Sequence, residues 1–298
     1  MSITLFTNSS AMSASNALQK ANSTLSTAME RLGTGKRINS ASDDAAGLQV
    51  ATRLQGQSNG MTVAQRNISD ASTMLQTGEG AMDEVSNIMY RMKDLATQGA
   101  SDTNTTESRK AIDAELTSLN TELGSIMGNT SYAGDNLFSD KTTTASDGST
   151  TTSKAKMTQA MTFQTGSESG ETTSVDVSSQ LSTVKDSISS LSSASVSDTD
   201  STSGTKSANA LIDTLNTALD NVSSLRSAFG ASINSLSHAS ANLTNMKDNT
   251  DQALGNIQDA DFASEASSMT RSQMLAQTST SMLKQSNSMS SLVMSILG

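Results

Sequence analysis

From Leu211 to Ile257 apolar side chains return at alternating intervals of three and four residues. The series is Leu211, Leu215, Ala218, Val222, Leu225 and Phe229; past a polar Ser232, Leu236, Ala239, Leu243 and Met246; and past Thr250, Ala253 and Ile257. An α-helix places such a series along one seam, and about 47 residues at 1.5 Å each run for roughly 70 Å. No compact globular core needs a helix of that length. Proline is absent from all 298 residues, where ordinary usage of about 5% would place roughly 15. Each would break a helix interior at a cost of about 3 kcal/mol. The expected fold is mainly α, an elongated coiled-coil helical bundle.

Three more series fit the same template. Leu18, Ala21, Leu25, Ala28 and Leu32 form one. Ile68, Ala71, Leu75, Gly78, Met82, Val85, Met89, Met92 and Ala96 form a second, with Gly78 as its weak point, and Ile112, Leu116, Leu119, Leu123 and Ile126 a third. Near the C-terminus Leu275, Met282, Met289 and Ile296 recur every seven residues, flanked by Leu283, Leu292, Val293 and Leu297. That stripe is too wide for one partner helix. Because both ends are amphipathic, they are expected to pair, with the Leu18 and Leu275 series as the seam.

Between the helical halves the texture changes. Residues 141–153 and 192–207 are mostly Thr, Ser, Asp and Gly, a loop or linker composition. Met161–Gly166 and Thr172–Ser178 flank the turn sequence SESGE and predict a β-hairpin. Leu181, Val184, Ile188 and Leu191 then predict a short helix.

Composition excludes most chemistry. There is no Cys and one His, so disulfides, thiolate nucleophiles, Cys-ligated metals and HExxH zinc sites are ruled out. Lys and Arg number 19 against 29 Asp and Glu, and aromatics are 2%, which argues against nucleic acid as a partner. No apolar run reaches the 18 residues of a membrane span, and the N-terminus lacks the basic and apolar regions of a secretory signal. Asp43 and Asp44 are adjacent and do not face one another on a helix, so a helix-start role outweighs a carboxylate pair. His238, beside Leu236 and Ala239, has no partner ligands in its sequence neighbourhood and is expected at an exposed or inter-subunit position. GTGK at Gly33–Lys36 lacks phosphate-loop spacing and reads as a helix end. Met82, Met89, Met92 and Met246 are expected in seams, and Met282, Met289 and Met294 on a soft outer face. No cofactor is expected, and the chain reads as a non-enzyme.

Two long motifs carry a family resemblance. Ser23–Gln57, with ERLGTGKRINSASDDAAG at its centre, resembles the N-terminal signature of bacterial flagellin, and Asn256–Asn287 is similar to the C-terminal one. The resemblance covers about residues 1–140 and 208–298. It implies a D0 domain formed by 1–43 with 258–298, and a D1 domain over 44–257, with a small β-hairpin region near 135–180 and a Ser/Thr-rich linker near 192–207. It implies that Leu18, Leu25, Leu32, Leu275, Met282, Met289 and Ile296 serve coiled-coil assembly of D0, and that Arg37, Asp43 and Asp44 organise the D0–D1 connection. Its functional implication is a secreted subunit, exported by the flagellar type III apparatus, that polymerises with itself into the extracellular filament for motility. An export chaperone and hook-associated junction and cap proteins are the implied partners. Arg91, Leu95 and Glu115 match the positions at which the family meets Toll-like receptor 5, a face also used for lateral filament packing; Tyr90 stands where Gln is more usual. The shortness of the chain suits a lateral flagellum. A hook-filament junction protein, which shares such ends, is the alternative; a signalling or scaffolding coiled coil would instead form discrete dimers.

Overall fold

The computed structural model describes residues 8–144, 150–193, 195–196 and 201–297, with side chains for all of these except 143–144, 150–151, 201–202, 290 and 292–297. Its helices are α1 (Ser9–Thr34), α2 (Ala45–Gly99), α3 (Thr106–Asn129), α4 (Ser178–Ser192), α5 (Ser201–Gln258) and α6 (Phe262–Leu297). Three antiparallel hairpins lie between α3 and α4: β1 (Ser131–Tyr132) with β2 (Asp135–Asn136), β3 (Lys141–Thr144) with β4 (Thr150–Ser153), and β5 (Met161–Gln164) with β6 (Thr172–Val175). The chain divides into two compact units, Met1–Ser58 with Asp248–Gly298, and Asn59–Lys247.

The Asn59–Lys247 unit is built on the long seams. All nine residues of the Ile68–Ala96 series are buried, as are Leu211, Leu215, Ala218, Val222, Leu225, Phe229, Leu236 and Leu243. Leu116 and Leu123 from α3 and Leu181, Val184 and Leu191 from α4 join the same core. In this unit α2 and α5 run antiparallel in constant register, fixed by Gln65 donating to Thr244 and by the Arg226–Asp83 ion pair at 3.0 Å. Gly78 interrupts the seam for a reason: a Cβ there would sit 3.0 Å from Met157 Cε and 3.4 Å from Phe229 Cζ. Met246 departs from expectation, for it is 40% exposed although the three-four count reaches it.

The hairpin predicted around SESGE forms, with Met161 opposite Val175. Two departures concern the Ser/Thr-rich segments. Residues 141–153 were expected as loop, yet Lys141–Thr144 pairs with Thr150–Ser153. Threonine is polar enough to look like linker, but its branched Cβ favours extended backbone. Residues 201–207, expected in the second linker, are the first turns of α5. Residues 145–149, 194 and 197–200 of those stretches lie outside the described ones. The β1–β2 hairpin, which no alternation announces, turns on Ala133 and Gly134 at φ 52° and 94°, the left-handed pair that suits a two-residue hairpin turn.

In the other unit α1 and α6 pack antiparallel. Asn8 caps α1 by accepting from the Ala11 amide, and its side-chain amide donates to Ser286 Oγ at 2.9 Å; at the opposite end Arg31 pairs with Glu265 at 2.9 Å. From α1 the expected seam is used: Ala21 and Ala28 are buried, with Ala14 added, and Leu18, Leu25 and Leu32 are half-buried. From α6 it is not. Among its described side chains Ser272 and Ser279 are the buried ones, while Leu275, Met282 and Met289 are 51%, 62% and 61% exposed. Small side chains let two helices approach closely, so the α6 seam goes to its serines and the large apolar residues turn outward. The side chain of Ile296 lies outside the described ones.

Candidate functional site

Within the unit of the two termini, the chain between α1 and α2 is tied to the chain between α5 and α6. Gly35 ends α1 in the left-handed conformation at φ 71°, its amide donating to Arg31 O at 2.9 Å. Beyond it the backbone pairs briefly with its counterpart: Ala260 N donates to Gly35 O at 3.0 Å, Arg37 N to Gln258 O at 2.7 Å, and Lys36 bridges Asp259. Arg37 adds a side-chain bond to Ile257 O at 2.8 Å. A guanidinium donating to the last carbonyls of α5 complements that helix's negative end.

The two aspartates do different work. Asp43 Oδ2 accepts from the Ser40 amide at 2.8 Å, the Asn39 amide at 3.1 Å and Ser40 Oγ at 3.1 Å. These bonds favour the ionised carboxylate, above all the one from the Ser40 amide, and hold its pKa below the ordinary value. Asp44 is the cap of α2, its Oδ1 accepting from the Gly47 amide at 2.8 Å. A Cβ on Gly47 would meet Asp44 Oδ2 at 2.5 Å and the buried Ile38 at 2.8 Å, so a larger residue would have to displace the capping carboxylate or the Ile38 side chain. Arg37, Asp43 and Asp44 thus lie in one short, hydrogen-bonded segment.

The outer face of the helix pair carries large exposed apolar side chains. At 100° per residue, Met274, Leu275, Met282 and Met289 fall within about 100° of one another around α6, beside the serine seam. Met274 is 57% exposed, and the four recur along one side of α6 as an apolar stripe interrupted by the exposed Thr278 and Gln285. A groove lined by Ser9, Ser13, Ala17, Leu275, Thr278 and Met282 runs alongside it. Single exposed apolar residues are ordinary on a protein surface; four large ones along one side of one helix point to a contact surface.

In the Asn59–Lys247 unit, α2 and α3 bring Arg91 and Glu115 together. Arg91 Nε and Nη2 both donate to Glu115 Oε1, at 3.1 and 2.7 Å, and the two side chains are 56% and 45% exposed. Leu95 does not join them at the surface. It is 3% exposed, one turn after the buried Met92, and belongs to the core. His238 is exposed, as expected. Among the described residues no group of three His, Cys, Asp or Glu side chains is placed to hold a metal ion.

Sequence reasoning missed Arg109. It is 1% exposed, with Nε donating to Gly99 O at 3.0 Å and Nη2 to Ser101 O at 3.1 Å and Thr205 Oγ1 at 3.0 Å. Thr205 in turn donates to Asp102 at 2.8 Å, and a Cβ on Gly204 would stand 3.0 Å from Arg109 Nη1. One side chain therefore binds the end of α2, the turn after it and the start of α5. Periodicity carries no mark for a buried cation; the nearest signal is Gly204, whose missing side chain leaves room for the guanidinium.

The chain is similar to known proteins over its whole length. The pattern defining the bacterial flagellin N-terminal helical region matches residues 5–143, and that of the bacterial flagellin C-terminal helical region matches 212–297. Flagellin A of Vibrio anguillarum is 33% identical over 379 aligned residues covering 100% of both chains, and polar flagellin C of Vibrio parahaemolyticus is 32% identical over 384, again 100% of both. Among solved structures, a putative flagellar hook-associated protein from Vibrio parahaemolyticus superposes with a TM-score of 0.54 at 19% identity, over 73% of this chain and 100% of that one. At that identity the likeness bears on fold alone.

Proposed function

The chain belongs to the bacterial flagellin family, and from that premise we propose that the outer face of the α1–α6 pair is where copies join one another. Flagellins are structural proteins rather than enzymes, and family membership makes this chain a structural subunit of the flagellar filament, an extracellular polymer. The observation that carries the interface is the stripe of Leu275, Met282 and Met289, more than half exposed on a helix whose seam is already filled. Contacts between unlike faces that do not close on themselves give a filament instead of a ring.

The finer assignments follow from the same reading. Residues 1–43 and 258–298 act as D0 and 44–257 as D1, with the tie through Arg37, Asp43 and Asp44 between their helices. An Ala and Ser seam buries little apolar surface, so the terminal segments order fully only when neighbours cover the stripe. An export chaperone would cover it before assembly, and junction and cap proteins would meet it at the filament's ends.

The test is seeded growth followed by light scattering and electron microscopy. The intact chain should extend short seeds into long filaments. Leu275→Asp with Met282→Asp and Met289→Asp should leave the helical content and melting of the Asn59–Lys247 unit in place and abolish growth. An intact chain that stops at a small ring overturns the filament reading in favour of a junction protein.

A second reading concerns the exposed Arg91–Glu115 pair, a preorganised fork held across two helices. We propose it as a polar contact for a lateral neighbour or Toll-like receptor 5. Since Leu95 is buried, the apolar anchor has to come from another residue, and Tyr90, 56% exposed beside Arg91, is the one at hand. Loss of receptor signalling in Arg91→Ala and Tyr90→Ala, with filaments still forming, would separate the receptor from the lateral role.

A further inference from the structure

The methionines divide between the two units. Met61, Met74, Met82, Met89, Met92, Met127 and Met157 are 0–7% exposed, and all lie in the Asn59–Lys247 unit. Met12, Met29, Met274, Met282 and Met289 are 49–62% exposed, and all lie on α1 or α6. Among the described residues only Met246, at 40%, is an exposed methionine of the other unit. Leucine would serve an apolar contact stripe as well as methionine does in size, but leucine cannot be oxidised and a thioether can.

We propose that the exposed methionines of α1 and α6, Met12, Met29, Met274, Met282 and Met289, are oxidation-sensitive positions of the unassembled subunit, and that sulfoxide formation at those on the α6 stripe, Met274, Met282 and Met289, blocks addition to the polymer. The oxidant is a hydroperoxide. With hydrogen peroxide, sulfur donates its lone pair to one peroxide oxygen, the S–O bond forms as the O–O bond breaks, and the departing hydroxide leaves as water with the proton lost from the sulfur-bound oxygen. The thioether loses two electrons and the peroxide gains them. Exposure decides which sulfurs react, because the oxidant has to reach the lone pair.

The consequence for assembly rests on the interface proposed above. A sulfoxide replaces an apolar atom of the stripe with a strong acceptor. Covered by a neighbouring subunit without a donor, that oxygen loses its water and gains nothing. Within a finished filament the same sulfurs are shielded, so the modification discriminates between free and incorporated subunits. The change is reversible, since the two methionine sulfoxide reductases restore the thioether one epimer each.

The experiment treats full-length monomer and assembled filament with hydrogen peroxide and quantifies sulfoxide at each methionine by peptide mass spectrometry. In monomer the five terminal methionines should oxidise at least tenfold faster than Met82, Met89 and Met157. In filament Met282 and Met289 should be protected. Oxidised monomer should elongate seeds at least tenfold more slowly, recover with the reductases, and lose this sensitivity when all five are replaced by leucine (Met12→Leu, Met29→Leu, Met274→Leu, Met282→Leu and Met289→Leu). Equal oxidation of the core and terminal sets overturns the proposal while leaving the interface reading intact. Unimpaired growth by the triple aspartate variant overturns the interface reading instead, and unimpaired growth by oxidised monomer overturns the assembly block.

Discussion

The α1–α6 pair buries Ala14, Ala21, Ala28, Ser272 and Ser279, whereas the Asn59–Lys247 unit buries Leu75, Met82, Leu123, Val222, Leu225 and Phe229 among many others. Both are helices paired on a heptad seam, yet they place their large side chains oppositely. A buried methyl group contributes about 0.8 kcal/mol, and a buried Leu, Met or Phe about 1.5–3 kcal/mol. The second unit is therefore stabilised by its own seam. The terminal pair uses its seam for close approach and leaves Leu275, Met282 and Met289 exposed, the face proposed above to meet neighbours. What differs is where the large apolar side chains are placed: inside the seam in one unit, outside it in the other.

The largest expected effect breaks that contrast directly. Phe229 is fully buried against Gly78 and Met157, so Phe229→Ala should destabilise the Asn59–Lys247 unit by about 3–5 kcal/mol in urea unfolding. Met282→Ala, at an exposed position of the terminal pair, should change monomer stability by about 0.5 kcal/mol or less and still slow seeded growth. Comparable losses of monomer stability from the two would mean that the pair is packed like the core.

Arg109→Leu should come next, at about 2–4 kcal/mol, because it removes the Nε donor from the buried Gly99 carbonyl and the Nη2 donor from Ser101 O and Thr205 Oγ1. Arg109→Lys should recover only part of this, since an ammonium cannot span three acceptors in one plane. Circular dichroism through a denaturant titration reads both, and a neutral Arg109→Leu would show that Arg109 is not the staple described.

The ease with which each region was legible in the sequence follows from the same difference. The α2 and α5 seams could be read because their seam residues are also their largest apolar residues. On α6 the largest apolar residues are not the seam, so counting every seventh residue from Leu275 found the outward stripe and missed Ser272 and Ser279. Leu95 was placed at the surface by resemblance although its spacing from Met92 already put it on the buried face. The β3–β4 hairpin was hidden by composition, since threonine serves loop and strand alike. Asp44 was legible as a helix start because a cap is a local event, and Arg109 was not because its partners come from three separate segments.

Ion pairs sharpen the comparison at smaller scale. Arg31–Glu265 joins α1 to α6 with side chains 28% and 16% exposed, and Arg91–Glu115 joins α2 to α3 at 56% and 45%. Double-mutant cycles should give a coupling of about 1 kcal/mol for the first and about 0.5 kcal/mol or less for the second, with the second lost first as salt is raised. The reverse order would show that geometry, here two guanidinium nitrogens on one oxygen, outweighs exposure.

The smallest effect is a titration that neither unit's core should influence. Asp43, in the unit of the termini, is held below the ordinary carboxylate value by the Ser40 and Asn39 amides and the Ser40 hydroxyl, and Asp176, in the other unit, by the Ser178 hydroxyl and amide. A depressed pKa in the folded chain means that the carboxylate's contribution is complete above the unfolded value of about 3.9 and is lost as pH falls through the folded one. Nothing should change between pH 7 and 5. Below about pH 4 the amide resonances of Asn39, Ser40 and Ser178 should move as their acceptors protonate. Asp43→Asn should silence the first two, leaving Ser178 to titrate, and Asp176→Asn should do the converse. Because both carboxylates are exposed, each titration should remain local, with the burial of Ala21 and of Phe229 alike undisturbed. Amides at Asn39 and Ser40 that followed an ordinary, unshifted carboxylate would remove Asp43 from the tie between α1 and α2.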